Sequence, residues 1–145
     1  MRTTLHHDIA LLIARIGLGV IFVAHGWQKV HDYGHAGVTA SFEGMGVPLP
    51  GLSAYYAAYV ELIGGVLLIA GALTPIVGLL LFLDMAGAFV IVHLENGVFV
   101  TDGGYELVVA LGVGALVLAA VGPGRFSADK LLVSAAKGKR SAVSA

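Results

Sequence analysis

The stretch that decides the fold is residues 54–94, AYYAAYVELIGGVLLIAGALTPIVGLLLFLDMAGAFVIVHL. It contains two apolar segments, residues 54–73 and 75–94, each of the length that a helix needs to cross a bilayer core about 30 Å thick. Between them, Thr74 and Pro75 are typical of a helix start, with Thr as the N-cap and Pro at the first helical position. Because almost no loop remains, the two segments are predicted to form a tight antiparallel helical hairpin.

Two further segments, residues 9–28 and 103–122, are equally long and apolar. Helix-stopping residues follow the third and fourth segments, at Asn96-Gly97 and at 122–124 (Gly-Pro-Gly). None of the four segments shows the apolar–polar alternation of a membrane barrel strand. The sequence therefore predicts an all-α fold, an integral membrane four-helix bundle, as one domain over residues 1–132.

The composition excludes several classes of protein. Hydrophobic residues make up 58% of the 145 residues, charged residues only 12%, and the mean hydropathy is +0.92. A small soluble domain has a large surface to cover with polar groups, so a soluble enzyme is excluded. The net charge of -1 offers no field for nucleic acid. The chain has no cysteine, so it has no thiolate, disulfide or iron–sulfur ligand of its own.

The distribution of Lys and Arg predicts the orientation, because these residues accumulate in short cytoplasmic segments. Residues 30–53 contain neither, and residues 95–102 contain neither. Both loops are therefore predicted to lie outside, and both termini in the cytoplasm, with residues 133–145 as a basic cytoplasmic tail at the anionic inner leaflet. The cationic residues that flank the first and last segments are Arg2, Arg125, Lys130, Lys137, Lys139 and Arg140.

The first outer loop is predicted to contain a short helix. Val38, Phe42 and Met45 recur at helical spacing, which indicates a helix over residues 34–45 lying in the membrane interface. Residues 47–51 (VPLPG) then favour an extended return to the second segment.

Arg15 and Asp84 lie well inside predicted spans, where an ionisable group costs at least about 2.5–3.5 kcal/mol and normally finds a partner. Counted from the predicted cytoplasmic helix starts, Arg15 is about 9 Å deep and Asp84 about 13 Å deep. A long Arg side chain covers this difference, so the two residues are predicted to form an inner ion pair. A purely structural role, which sets the register of the helices, is favoured for this pair.

Five ionisable residues from four predicted helices fall near the outer membrane level. They are His25, Lys29, Glu61, His93 and Glu106, with Phe22 and Phe89 one turn deeper as an apolar wall. A quinone ring needs hydrogen-bond donors, acceptors, a proton relay and an apolar slot, and these residue types supply all four. The alternative is that the polar groups only tie the helix ends together. No metal is expected, because the Glu-x-x-His pair of di-iron bundles is absent from the sequence.

Five short motifs follow one another along nearly the whole chain. They are Arg15, Gly19 and Phe22 with HGWQK at 25–29; GVPLP at 46–50; ELIGG at 61–65 with Gly71 and Thr74; Glu106; and GPGRFSAD at 122–129. In this order the chain resembles the DoxX family of small bacterial four-helix membrane proteins. Phe126 and Ala128 depart from the usual Tyr and Leu of the closing motif.

The resemblance implies a bacterial inner membrane protein of a redox complex. Members or relatives of this family are described as subunits of thiosulfate:quinone oxidoreductase, and one as the membrane part of a redox-stress complex with superoxide dismutase and a sulfurtransferase. The function expected from it is a membrane subunit of an oxidoreductase complex that exchanges electrons with the quinone pool. Quinone is the expected cofactor, and the expected partners are the lipid bilayer and other membrane or soluble redox proteins.

Two other functions remain open from the sequence. One is a non-catalytic membrane scaffold or assembly factor that recruits soluble enzymes, which the basic tail favours. The other is a small-solute permease that uses the polar residues as its pathway. The sequence also leaves open whether the chain is itself catalytic and whether it forms a homo-oligomer.

Overall fold

A computed structural model describes residues 4–134 of the chain. The predicted tail lies almost wholly outside these residues, as do Arg2, Lys137, Lys139 and Arg140. Five α-helices make up most of the described part: α1 (Leu5–Trp27), α2 (Gly34–Gly44), α3 (Pro50–Ala70), α4 (Thr74–Ala88) and α5 (Glu106–Val121). Short π and 3-10 turns occupy Gln28–Tyr33, Phe89–His93, Leu94–Asn96 and Val100–Asp102, and residues 128–134 are helical.

The all-α membrane fold is confirmed, since every regular element within residues 4–134 is helical. Three continuous helical runs are long and apolar enough to cross a membrane: Leu5–Gly44, Pro50–Ala70 and Thr74–Asn96. The fourth, α5, has 16 residues and a length of about 24 Å. It is shorter than the predicted segment 103–122 because Gly103, Gly104 and Tyr105 belong to the preceding loop. The crossing by α5 therefore stays a prediction.

The tight hairpin is present, but its cap differs from the prediction. Only residues 71–73 separate α3 from α4. Thr74 is the first residue of α4, and its buried hydroxyl makes no capping bond, so its assignment as N-cap was wrong. The carboxylate of Asp129 does this work instead, accepting hydrogen bonds from the backbone N–H groups of Leu73 at 2.9 Å and Thr74 at 3.3 Å.

The predicted loop helix exists as α2. It continues from α1 through the π turn Gln28–Tyr33, changes conformation at Gly34 (φ 66°) and packs against α3, with Val38 buried. Its position relative to the lipid headgroups stays a prediction.

The helices form two tightly packed pairs. In the first pair, α1 approaches α3 through glycines: a Cβ on Gly65 would lie 2.8 Å from the backbone of Gly19 and Val23. In the second, a Cβ on Gly78 of α4 would lie 2.6 Å from the Ala115 carbonyl of α5. Because both contacts are with backbone atoms, the helices of each pair can approach this closely only without side chains there.

One end of the bundle, which we call the hairpin end, is closed by residues 122–129. The Arg125 N–H donates to the Asp8 carboxylate at 3.0 Å, and the Arg15 guanidinium donates to the carbonyl of Phe126. Arg15 is fully buried and lies against Gly71, which has a left-handed φ of 69°. Residues 122–129 therefore tie α1 to the α3–α4 hairpin.

Candidate functional site

A cavity of about 530 Å³ lies between the two helix pairs, toward the end of the bundle opposite the hairpin, which we call the loop end. Helices α1, α3, α4 and α5 contribute to its wall, together with the end of α2, the segment that follows it and the loop before α5. The lining is mostly apolar, and its polar side chains are His25, Lys29, Ser53, Tyr56, Glu61, Asp84 and His93.

A buried ion pair forms the polar base of this cavity. The Lys29 ammonium lies 2.5 Å from Glu61 Oε2, with side chains that are 19% and 5% exposed. Lys29 follows the end of α1, in the π turn, and Glu61 lies in the middle of α3. The close packing of α1 on α3 therefore brings this cation and this carboxylate together. Both residues had been predicted for the same site.

Asp84 completes the cluster from α4. Its carboxyl group lines the same cavity and lies close enough to Glu61 and Lys29 to interact with their charges, and its buried Oδ2 has no hydrogen-bond partner among the described residues. The Lys29 ammonium balances the charge of the Glu61 carboxylate, which lowers the cost of placing the pair in an apolar environment.

Two of the predicted residues, His25 and Phe22, line the cavity from α1. His93 lines it from near the end of the continuous helical run Thr74–Asn96, which begins with α4 and which we call the α4 run. Its Nδ1 lies 2.6 Å from the carbonyl of Gly103. The Nδ1 edge of the His93 ring is thus hydrogen-bonded to the loop before α5. Together with Lys29 and Glu61, five of the seven predicted residues are brought to one cavity.

The other two predicted residues, Glu106 and Phe89, are not part of the cavity wall. Glu106 Oε1 accepts a hydrogen bond from the Val100 N–H at 2.8 Å and so holds the loop that precedes α5. Phe89 packs edge-on against Tyr105, with the ring centroids 5.2 Å apart. Both residues stabilise the loop end.

The predicted ion pair between Arg15 and Asp84 is not formed. Arg15 lies at the hairpin end beside Gly71, whereas Asp84 is ten residues into α4, about 15 Å further along the bundle. The predicted depths were counted from helix starts at residues 9 and 75. In the structure α1 begins at Leu5 and extends past the hairpin, so residues 9 and 75 do not lie at the same level. Depths counted from these two residues therefore cannot be compared.

The role of Asp84 was missed, although a signal for it exists in the sequence. Glu61 lies eleven residues before Ala72, and Asp84 lies eleven residues after Leu73. In an antiparallel hairpin, residues at equal distances from the turn lie at the same level. Counting outward from the hairpin would therefore have placed the two carboxyl groups at the same level of the bundle.

The donor set does not form a metal site, since no three His, Asp or Glu side chains converge closely enough to hold an ion within residues 4–134. What the site offers is an apolar slot with one ammonium and two carboxyl groups at its base, of which the ammonium and one carboxylate form an ion pair. The aromatic ring of Phe22 and the imidazoles of His25 and His93 stand around it. This arrangement suits a flat, partly polar ring and the transfer of protons to it.

Comparison with known proteins agrees with the membrane fold. The chain is 41% identical to "Putative oxidoreductase CatD" of Bacillus subtilis (strain 168) over 88 residues, 61% of this chain and 63% of that protein. It is 32% identical to "Inner membrane protein YqjF" of Escherichia coli (strain K12) over 126 residues, 86% of this chain and 93% of that protein. A second protein of that organism, "Inner membrane protein YphA", is 29% identical over 84% of this chain and 89% of its own length.

No solved structure matches the chain significantly. The family model of DoxX matches residues 10–94, which is more than half of the chain and includes most of α1, all of α2 to α4, Lys29, Glu61 and Asp84. The chain is a membrane protein and belongs to the DoxX family.

Proposed function

We propose that the chain is the membrane subunit of a redox complex and that its cavity binds the ring of a quinone. The observation that carries this proposal is the Lys29–Glu61–Asp84 cluster at the base of an apolar cavity. The similarity to a relative named "Putative oxidoreductase CatD" also supports a redox role.

The cavity suits a quinone in size and chemistry. Its volume of about 530 Å³ falls within the range of about 300–1,000 Å³ found for small-molecule sites, which are mainly apolar with a few polar groups. The ammonium of Lys29 and the imidazole of His25 supply donors to ring oxygens, whereas the neutral His93 ring, whose Nδ1–H donates to the Gly103 carbonyl, offers an acceptor at Nε2 for the hydroxyl of a reduced ring. Phe22 supplies an apolar face against which a ring can pack.

A bound quinone supplies two-electron redox chemistry coupled to two protons. The residues of this chain supply the proton side of that chemistry. In this proposal the carboxyl groups of Asp84 and Glu61, which both line the cavity, exchange the protons, and the Lys29 ammonium compensates the negative charge on Glu61. The imidazole of His25 lines the same cavity from α1 and can accept and donate a proton there.

The electrons come from a partner in this proposal. The chain has no cysteine, so a sulfur substrate cannot be held on it as a thiolate adduct. Soluble or membrane redox proteins that bind this subunit would hold the electron donor.

We expect the protein to retain quinone when it is purified in mild detergent, and Gly87→Leu to weaken quinone binding at least about tenfold. Gly87 lines the cavity, and a Cβ there meets no atom within 4 Å, so Leu fills the binding space without a clash. The measurement is quinone extracted per protein, followed by titration with added quinone.

Gly17→Leu is the matched control, because Gly17 is exposed on α1, lies outside the cavity wall and also has free space at its Cβ. It should bind quinone as the unchanged protein does. If the unchanged protein carries no quinone and binds none, the redox proposal fails and a scaffold role takes its place.

The orientation proposed is four membrane spans in a bacterial inner membrane, with the hairpin end and both termini in the cytoplasm. The lack of cysteine allows single-cysteine reporters. In intact cells, Thr101→Cys in the exposed loop before α5 should react with a membrane-impermeant maleimide, and Ser134→Cys should react only after lysis. Labelling of Ser134→Cys and protection of Thr101→Cys would reverse the orientation.

A further inference from the structure

Among the long helices, only α3 and the α4 run contribute exposed residues to the cavity wall. Its lining residues on α1 and α5 are buried or half-buried, whereas three on the α3 and α4 runs are open: Tyr56 at 38%, Leu83 at 51% and Ile91 at 42% exposure. The cavity therefore has a side opening between α3 and α4, which we call the lateral window.

The helix packing explains where this opening lies. The contacts between α3 and α4 are far fewer than those within the pairs α1–α3 and α4–α5, although a tight hairpin joins α3 to α4. The two pairs are held together at the hairpin end by residues 122–129 and separate toward the loop end. Tyr56 bridges the gap, since its hydroxyl donates to the carbonyl of Leu80 at 3.0 Å.

The window faces the apolar part of the bilayer. Leu83, Gly87 and Ile91 are four residues apart and form one stripe along the α4 run. Leu83 and Ile91 lie about 14 Å and about 26 Å from the start of α4, within a bilayer core about 30 Å thick. Gly87, which has no side chain, leaves the middle of this stripe open.

At the loop end, further apolar residues line the cavity: Phe42 of α2, Met45 and Val47 after it, and Val100 before α5. Met45 and Val100 are 40% and 50% exposed, so the lining is accessible at this end as well. The window differs because it opens along the α4 run at depths within the bilayer core, where a ligand dissolved in the membrane meets it directly.

From this geometry we infer that the ligand is a membrane-dissolved molecule with an apolar tail, which enters through the lateral window and leaves its tail lying there. The inference rests on the proposed function and adds the route and the class of ligand. The polar ring reaches the Lys29–Glu61–Asp84 cluster, and the tail extends past Leu83 and Ile91 into the lipid. The window is thus an element of specificity, because it favours tailed over tail-free molecules.

Photocrosslinking in liposomes tests this inference with the full chain. The probe is a benzoquinone with a decyl tail that ends in a diazirine, and the competitor is excess decyl benzoquinone without the diazirine. After irradiation, peptide mass spectrometry should find crosslinks that the competitor removes at Tyr56, Leu83 or Ile91. Competed crosslinks confined to residues 42–47 and 98–104 would overturn the window while leaving the quinone site intact. Absence of competed crosslinks anywhere would contradict the quinone site itself.

A pair of substitutions gives an independent readout. Leu83→Trp narrows the window and should slow loading of decyl benzoquinone from liposomes about tenfold, equivalent to about 1.4 kcal/mol at the barrier. Leu79→Trp, one turn nearer the hairpin, is the control, because Leu79 is 48% exposed but does not line the cavity. The loading rate of a tail-free benzoquinone should fall less in Leu83→Trp than that of decyl benzoquinone, and Leu79→Trp should change neither rate. Equal loading rates for both variants and the unchanged protein would exclude entry through the window.

Discussion

Lys29→Met is expected to lower the free energy of unfolding by about 3–5 kcal/mol, the cost measured where one partner of a buried ion pair has been removed. Glu61 is only 4% exposed, and Lys29 is the cation against its carboxylate, at 2.5 Å. Without Lys29, the negative charge of Glu61 stays in an apolar cavity and has no compensating charge. Unfolding by SDS titration in mixed micelles measures the loss.

The double variant Lys29→Met, Glu61→Gln should recover most of this stability, because the uncompensated carboxylate is removed together with its cation. Lys130→Met is the charge control: Lys130 is exposed, so the loss of its ammonium should change stability by less than about 1 kcal/mol. If the double variant is as unstable as the sum of the single variants, Lys29 and Glu61 do not act as a pair.

Gly26→Ala is expected to cost about 3 kcal/mol, the upper end of the range for overpacking. A Cβ at Gly26 would lie 2.7 Å from Leu62 Cα, with the backbone N of Leu62 nearer still. Because these are backbone atoms of α3, they cannot move aside without moving the helix. The substitution therefore separates α1 from α3 at the level of the Lys29–Glu61 pair, and it should also weaken quinone binding.

Gly17→Ala on the same helix is the matched control, since its Cβ would meet nothing within 4 Å. Alanine has the higher helix propensity by about 1 kcal/mol, so this variant should be equal to or slightly more stable than the unchanged protein. Thermal unfolding of both variants in the same detergent compares them. A Gly26→Ala protein as stable as Gly17→Ala would show that α1 and α3 do not need this close contact.

The two pairs of helices relate these predictions to function. The α1–α3 pair carries His25, Lys29 and Glu61, and the α4–α5 pair carries Asp84, so the cluster is complete only when the pairs stand at the right distance. Residues 122–129 set that distance from the hairpin end, through contacts to α1 and to the α3–α4 hairpin. The closing motif thus acts on the site without touching it.

Much of the architecture could be predicted because it depends on local pattern. The apolar lengths predict membrane helices, and residues 71–75 predict the hairpin with only the cap misassigned. The recurrence of Val38 and Phe42 predicts α2, and the short motifs predict the family. Five of the seven residues proposed for the site also lie at the cavity, since their level along the helices follows from counting residues.

The sequence by itself determined the helical class, the hairpin and the level at which most polar groups lie, because these follow from the length and punctuation of apolar segments. Only the tertiary structure decided which polar groups face one another, as with Asp84 and Arg15. In a soluble helix the apolar stripe marks the side that faces the core. In these helices the lipid-facing side is as apolar as the buried side, so direction around the helix axis cannot be read from the pattern. Glycine contacts between helices set it instead, and they bring Asp84 to Glu61 and leave Arg15 with the closing motif.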